Sequence, residues 1–220
     1  MELISIDESR VVHLGQFIRP AGQLYGPEAV AKLAARYQFA KHPTLAEIIE
    51  RKEPALSFGG GKFSETQIQR FQIYNDGFVA EAQSGSKTLD AFMDDALAWA
   101  AEEFGLRKIE GIKTERHHES TLIVIATTDI AKAFAPRHEI ADAFNSALGK
   151  EGYSPRKFQA SGMIMAPDPA AEGSRKREPR FLIDRRVGVS FAENTFYSQA
   201  PLPTEDHLAL LERIEGLAGG

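Results

Sequence analysis

Phe71-Gln72-Ile73-Tyr74-Asn75-Asp76-Gly77-Phe78-Val79-Ala80 decides the fold class. Asn and Asp tolerate left-handed backbone and Gly adopts it without steric cost, so Asn75-Asp76-Gly77 between two apolar-bearing runs predicts a β-hairpin. Its first arm reaches back to Phe63 and its second forward to Gln83. The next stretch, Thr88 to Phe104, puts Leu89, Phe92, Met93, Ala96, Leu97, Ala100 and Phe104 on one helical face. Gly105 stands where a glycine terminates such a helix. A hairpin followed by a one-faced helix argues for antiparallel strands with helices packed against one side.

The same pattern extends in both directions. Downstream, Lys108 to His117 reads as a weak strand. Thr121 to Thr127 reads as a strong one, apolar on both faces and therefore central in a sheet. A helix follows over about Pro136 to Leu148, then a strand over Phe158 to Ala166. Phe181, Ile183, Val187, Val189 and Phe191 alternate as in a strand, with Arg185 on the apolar register. A last helix starts at a Thr204 cap and turns Leu208, Leu211 and Ile214 inward.

Upstream, Leu3 to Ile6 and Val11 to Ile18 read as two strands. Pro27 to Phe39 reads as a helix with Val30, Leu33, Ala34 and Tyr37 in one stripe. Thr44 and Glu47 form a capping box for a short helix with Leu45, Ile48 and Ile49 inward. The expectation is an α+β protein: an antiparallel or mixed β-sheet flanked by four to five helices, in hairpin-then-helix units. One domain is expected over 1–220, with 20–56 as a small helical appendage and 167–180 as a mobile loop.

Composition narrows the function. The absence of cysteine excludes disulfides, thiolate metal sites and cysteine nucleophiles. The start, Met1-Glu2-Leu3-Ile4-Ser5-Ile6-Asp7-Glu8, has no basic region ahead of an apolar stretch, and runs such as Leu122 to Ala126 are too short to span a bilayer. A soluble, cytoplasmic protein is expected, with no membrane association. Its net charge is −5, which disfavours nucleic acid. Yet nine Lys/Arg stand against five Asp/Glu between Lys150 and Arg186, so an anion site is open there.

Four patterns bear on chemistry. Gly59-Gly60-Gly61-Lys62 lacks the first glycine and the hydroxyl of a phosphate loop, with Leu56 and Phe63 in those places, and reads as a turn. Glu115-Arg116-His117-His118-Glu119 is the only cluster resembling metal ligands, with Glu115, His117 and Glu119 on one face of a strand and His118 opposite. A polar hairpin turn is the plainer reading of that segment. Asp90 and Asp94 share a helix face, read as solvated. Arg175, Lys176, Arg177, Arg180, Arg185 and Arg186 form a candidate surface for an anion or a partner.

Phe196 to Pro203 reads as an extended strap, pinned to the chain's own core or laid on a neighbouring subunit. Phe196, Tyr197 and Leu202 are its candidate interface residues. No complete catalytic or cofactor motif is present, so no cofactor is assigned. The reading is a non-enzymatic protein acting through protein–protein contacts as a homo-oligomer. A polyanion-binding module using 175–186, or a metal-dependent enzyme around His117 and Glu119, are the alternatives.

Overall fold

The computed structural model describes residues 1–18, 26–50, 55–131, 137–150, 158–167 and 180–219. Most of the expected 167–180 loop, residues 168–179, lies outside them. The chain divides into two compact units. The larger comprises Ile6–Ser120 and Pro201–Thr204, and the smaller comprises Met1–Ser5, Thr121–Ala200 and Glu205–Gly220. Five α-helices among the described residues and a mostly antiparallel sheet architecture make the class α+β.

In the larger unit the strands are β1 (Glu2–Leu14, from Ile6 on), β2 (Phe17–Ile18), β3 (Leu56–Phe63), β4 (Thr66–Tyr74), β5 (Gly77–Ala82), β6 (Arg107–Lys108) and the first part of β7 (Glu115–Ile125). The main ladder runs β3-β4-β5-β1-β7, and β2 pairs with β6 separately. The ladders β3–β4, β4–β5 and β5–β1 are antiparallel. The expected hairpin is present: Tyr74 pairs with Gly77 across the two-residue loop Asn75-Asp76.

The helices of this unit are α1 (Pro27–Arg36), α2 (Leu45–Glu50) and α3 (Ser86–Phe104). The stripe of α1 and the buried face of α3 close on Phe58, Ile68, Phe71 and Phe78 to form one core. Gly105, with φ of 63°, ends α3 as expected.

Four local expectations change. Glu2–Leu14 is one strand, with Phe17–Ile18 apart from it, because the polar residues between the two expected strands are satisfied by distant partners. Buried Ser9 meets the Thr204 hydroxyl at 3.1 Å, and Arg10 pairs with Glu81 at 3.4 Å. Gly59-Gly60-Gly61 is not a turn but the middle of β3. A side chain at Gly61 would meet the ring of Phe39 at 2.3 Å, so glycine is what lets Phe39 pack on the strand.

The Thr44–Glu47 box forms, with the Thr44 amide donating to the Glu47 carboxylate at 2.7 Å and the Glu47 amide donating to the Thr44 hydroxyl at 3.3 Å. Of the three residues expected inward on α2, only Ile48 is buried, while Leu45 and Ile49 are 58% and 70% exposed. Finally, 115–119 is no hairpin turn, because β7 runs without interruption to Ile125.

In the smaller unit the last part of β7 is followed by α4 (Arg137–Lys150), β8 (Gly162–Met165), β9 (Phe181–Arg185), β10 (Thr195–Ala200) and α5 (Thr204–Gly219, from Glu205 on). The strand order is β7-β10-β9-β8, with β8–β9 and β9–β10 antiparallel. The strand expected to continue to Phe191 stops at Arg185. Val187 is fully in solvent, and Gly188 turns the chain with φ of 82°. The expected strap is largely β10, an inner strand. On α5, His207 is fully buried along with Leu211, whereas Leu208 is only half-buried. Among the described residues no helix is long and apolar enough to cross a membrane.

Candidate functional site

Strand alternation divides the smaller unit's sheet into two faces. Ser198 lies opposite Ile183, and Ile183 opposite Met163. The Ser198 hydroxyl and His207 Nε2 of α5 are 2.8 Å apart, and the Phe181 ring stands edge-on to His207 at 6.3 Å. That face therefore lies under α5. The alternate register puts Ile164, Leu182 and Gln199 in one row on the other face, with Asp184 and Tyr197 in the next.

β8 ends the strand order. No residue from Phe158 to Pro167 carries a charge. Ile164 is 62% exposed and Met165 is 47% exposed. The start of this segment is held to α4: the Asn145 side chain accepts from the Phe158 amide and donates to its carbonyl, both at 2.8 Å. The Phe144 and Phe158 rings meet edge to face at 5.1 Å, and both remain about half exposed.

The residues singled out in the sequence scatter. Arg175, Lys176 and Arg177 lie outside the described residues. Arg180 and Arg186 are exposed beside β9. Arg185 is internal, at 7% exposure. Its guanidinium donates to the Asp129 carboxylate and, at 2.7 Å, to the Phe191 carbonyl. It also lies over the rings of Phe191 and Phe196, at 4.5 and 5.1 Å. Its charge is thus spent on tying the 185–196 turn to the residues after β7.

Phe196 is 1% exposed and packs under α5's side of its own unit. Tyr197 is half-buried on the opposite face. Leu202 belongs to the larger unit, where its carbonyl accepts from the Ser120 hydroxyl at 3.0 Å.

Glu115, His117 and Glu119 do share a face of β7, as alternation requires. His117 Nε2 is 3.3 Å from the Glu115 carboxylate, and Glu119 is 3.9 Å from Arg10. Among the described residues no group of three His, Asp or Glu side chains converges as a metal site would require.

The opposite face of β7 carries a cluster the sequence reading missed. Arg116 donates to Asp90 at 3.1 Å and to Asp94 at 2.6 Å, and His118 Nε2 lies 3.0 Å from Asp90. Arg116 Nε also donates to His13 Nδ1 at 3.4 Å. Burial, and then the nearby Arg116 charge, pushes the pKa of His13 down. The signal was present in the i,i+4 spacing of Asp90 and Asp94. Its partners, some twenty residues away on a strand, were not.

Elsewhere in the larger unit, Arg10 and Arg70 both pair with Glu81, at 3.4 Å each. Burial, followed by the charges of Glu81 and Glu119, pushes the pKa of Glu8 up. Carboxylates crowd that surface, which leaves little net attraction for a polyanion.

No family model matches this sequence, and no curated protein does. Among solved structures, Methanococcus jannaschii TBP is similar over 98% of this chain and 97% of that one, with 15% identity and a TM-score of 0.44. A likeness at that level carries no functional reading.

Proposed function

We propose that the chain acts through protein–protein contact, and that the contact is a homo-oligomer formed at β8. The supporting observation is the uncharged terminal strand with Ile164 and Met165 exposed. Terminal strands invite pairing with another chain, and proteins normally blunt them with charge, proline or a covering segment. β8 has no charge or proline within it. A second copy is the occupant that fits, because two β8 strands related by a two-fold axis continue the antiparallel pattern with identical apolar side chains meeting.

Sedimentation velocity across a concentration series tests this reading. The wild type should sediment as a dimer or larger symmetric oligomer, and Ile164→Lys should sediment as a monomer with a near-native unfolding midpoint. A wild type that stays monomeric at the highest concentration would overturn it.

The polyanion reading retains Arg180 and Arg186 but loses Arg185, whose guanidinium is engaged with Asp129. Salt-sensitive binding of single- or double-stranded oligonucleotides that survives in Ile164→Lys would favour it. For the enzyme reading around His117 and Glu119, Glu115 and His117 come together while Glu119 lies by Arg10, and Ser198 and His207 are fully buried.

A further inference from the structure

His13 lies near the end of β1 at 6% exposure, on the same strand register as core Val11. Its Nδ1 accepts from Arg116 Nε, so the ring proton of the neutral imidazole sits on Nε2. That Nε2 is buried and has no hydrogen-bond partner among the described residues. The same guanidinium is engaged at its other two nitrogens. Nη1 donates to Asp90 at 3.1 Å and Nη2 to Asp94 at 2.6 Å. One arginine therefore ties β1, β7 and α3 together.

Among the described residues, the charged and titrating groups around His13 come from three elements. β7 supplies Arg116 and, on the same side, His118, whose Nε2 is 3.0 Å from Asp90. α3 supplies Asp90 and Asp94, and β6 supplies Lys108. β2 presents the ring of Phe17 at 6.0 Å, and β5 pairs Phe78 with His13 across the ladder.

A proton from solvent can be taken up only at Nδ1. There it would point at the Arg116 Nε–H, donor against donor, and set two cations side by side where water is scarce. Arg116 cannot relieve this by losing a proton, because the guanidinium stays charged. It can move, however. The side chain of Arg116 is 24% exposed and that of Asp94 66%, so the outer end of the guanidinium already stands near the surface. Asp94 is also the carboxylate whose charge favours a cationic His13.

We propose that His13 and Arg116 form an acid-operated latch: a proton taken up at His13 Nδ1 expels Arg116 Nε and loosens the start of β7 from α3. The closed latch keeps His13 neutral, its pKa pushed down by burial and then by the charges of Arg116 and Lys108. Opening returns an ordinary imidazole. The latch is therefore fully closed above about pH 6.5 and yields as pH falls below it. It lies wholly in the larger unit and does not rest on the contact at β8.

Nitrogen-15 NMR of the full chain tests this. At neutral pH the His13 proton should sit on Nε2. Below about pH 6.5, protonation of His13 and solvent exchange of the Arg116 Nε–H, measured against free arginine, should rise together, the second by up to about tenfold per pH unit. His13→Gln retains an acceptor but takes up no proton, so the Arg116 Nε–H should lose that pH dependence. Arg116→Gln removes the second cation and should raise the His13 midpoint by about half a pH unit or more.

A proton on Nδ1 at neutral pH, titration of His13 with no change at Arg116, or an equal pH dependence in His13→Gln would overturn the proposal. If His13→Gln does not fold, Arg116→Gln decides: a raised His13 midpoint upholds the latch, and an unchanged one removes it.

Discussion

β3 and β8 each end the strand order of their own unit, and they do so in opposite ways. Along β3 the chain returns to cover the edge. The amides of Lys41 and Gly59 exchange hydrogen bonds with each other's carbonyls at 3.0 and 2.8 Å, and the Lys62 amide donates to Tyr37 at 2.6 Å. Phe39 packs into the hollow that Gly61 leaves. Lys62 adds a charge. Along β8 no residue of the strand carries a charge, and Ile164 is exposed among the described residues. A terminal strand is thus protected by a covering segment where one packs on it, as residues 37–41 do on β3, and stays open to pairing where none does.

The largest effect should come from uncovering the protected edge. Phe39→Ala removes a ring that is 5% exposed and touches Phe58 and Phe71, at a cost of about 3–5 kcal/mol of stability in urea unfolding. If covering is what keeps β3 solitary, the same variant should also gain a concentration-dependent association that survives Ile164→Lys.

Next in size is Ile164→Lys. It should raise the dimer dissociation constant by tenfold or more, equivalent to about 1.4 kcal/mol, with little change in stability. An equal loss of association in Lys62→Ile would break the contrast between the two edges.

Thr44→Ala should cost about 1 kcal/mol by removing the cap of α2 just beyond the covering segment. Hydrogen exchange should then quicken at the Gly59 and Lys62 amides and stay constant at β9.

The smallest effect is a pH dependence from His13 in the larger unit. Folding lowers the pKa of His13 and so favours its neutral form. Stability from this residue is full above the unfolded value of about 6.5 and falls as pH drops below it toward the folded value. His13→Asn should flatten that slope in thermal unfolding. Association at β8, which involves no titrating residue, should not move over the same range.

Local patterns carried the fold a long way. The Asn75-Asp76-Gly77 hairpin, the α1 stripe, the buried face of α3, the Thr44–Glu47 box and the Gly105 stop each depend on neighbours within a turn or two, so the sequence displays them directly. The misreadings share a cause. Ser9 and Arg10 looked like a strand break because Thr204 and Glu81, which satisfy them, are distant in sequence. Gly59-Gly60-Gly61 looked like a turn because Phe39 lies twenty residues away. His117 looked like part of a turn although β7 passes straight through it.

The candidate sites were less legible still. Arg185 stood out correctly as an anomaly on an apolar register, but the sequence could not say that Asp129 and the Phe191 carbonyl receive it. The exposure of Ile164 was invisible, since an uncharged strand reads the same whether it lies inside a sheet or at its end.

The α+β class, most helices, the Thr44–Glu47 box, the Gly105 stop and the hairpin at Asn75-Asp76 were legible in the sequence, because short-range periodicity and backbone preferences act within a few residues. Only the tertiary structure decided which strands lie at the edges and which charges are consumed by partners. Those outcomes depend on which distant side chains meet, and strand order, unlike strand propensity, is written in contacts between segments far apart along the chain.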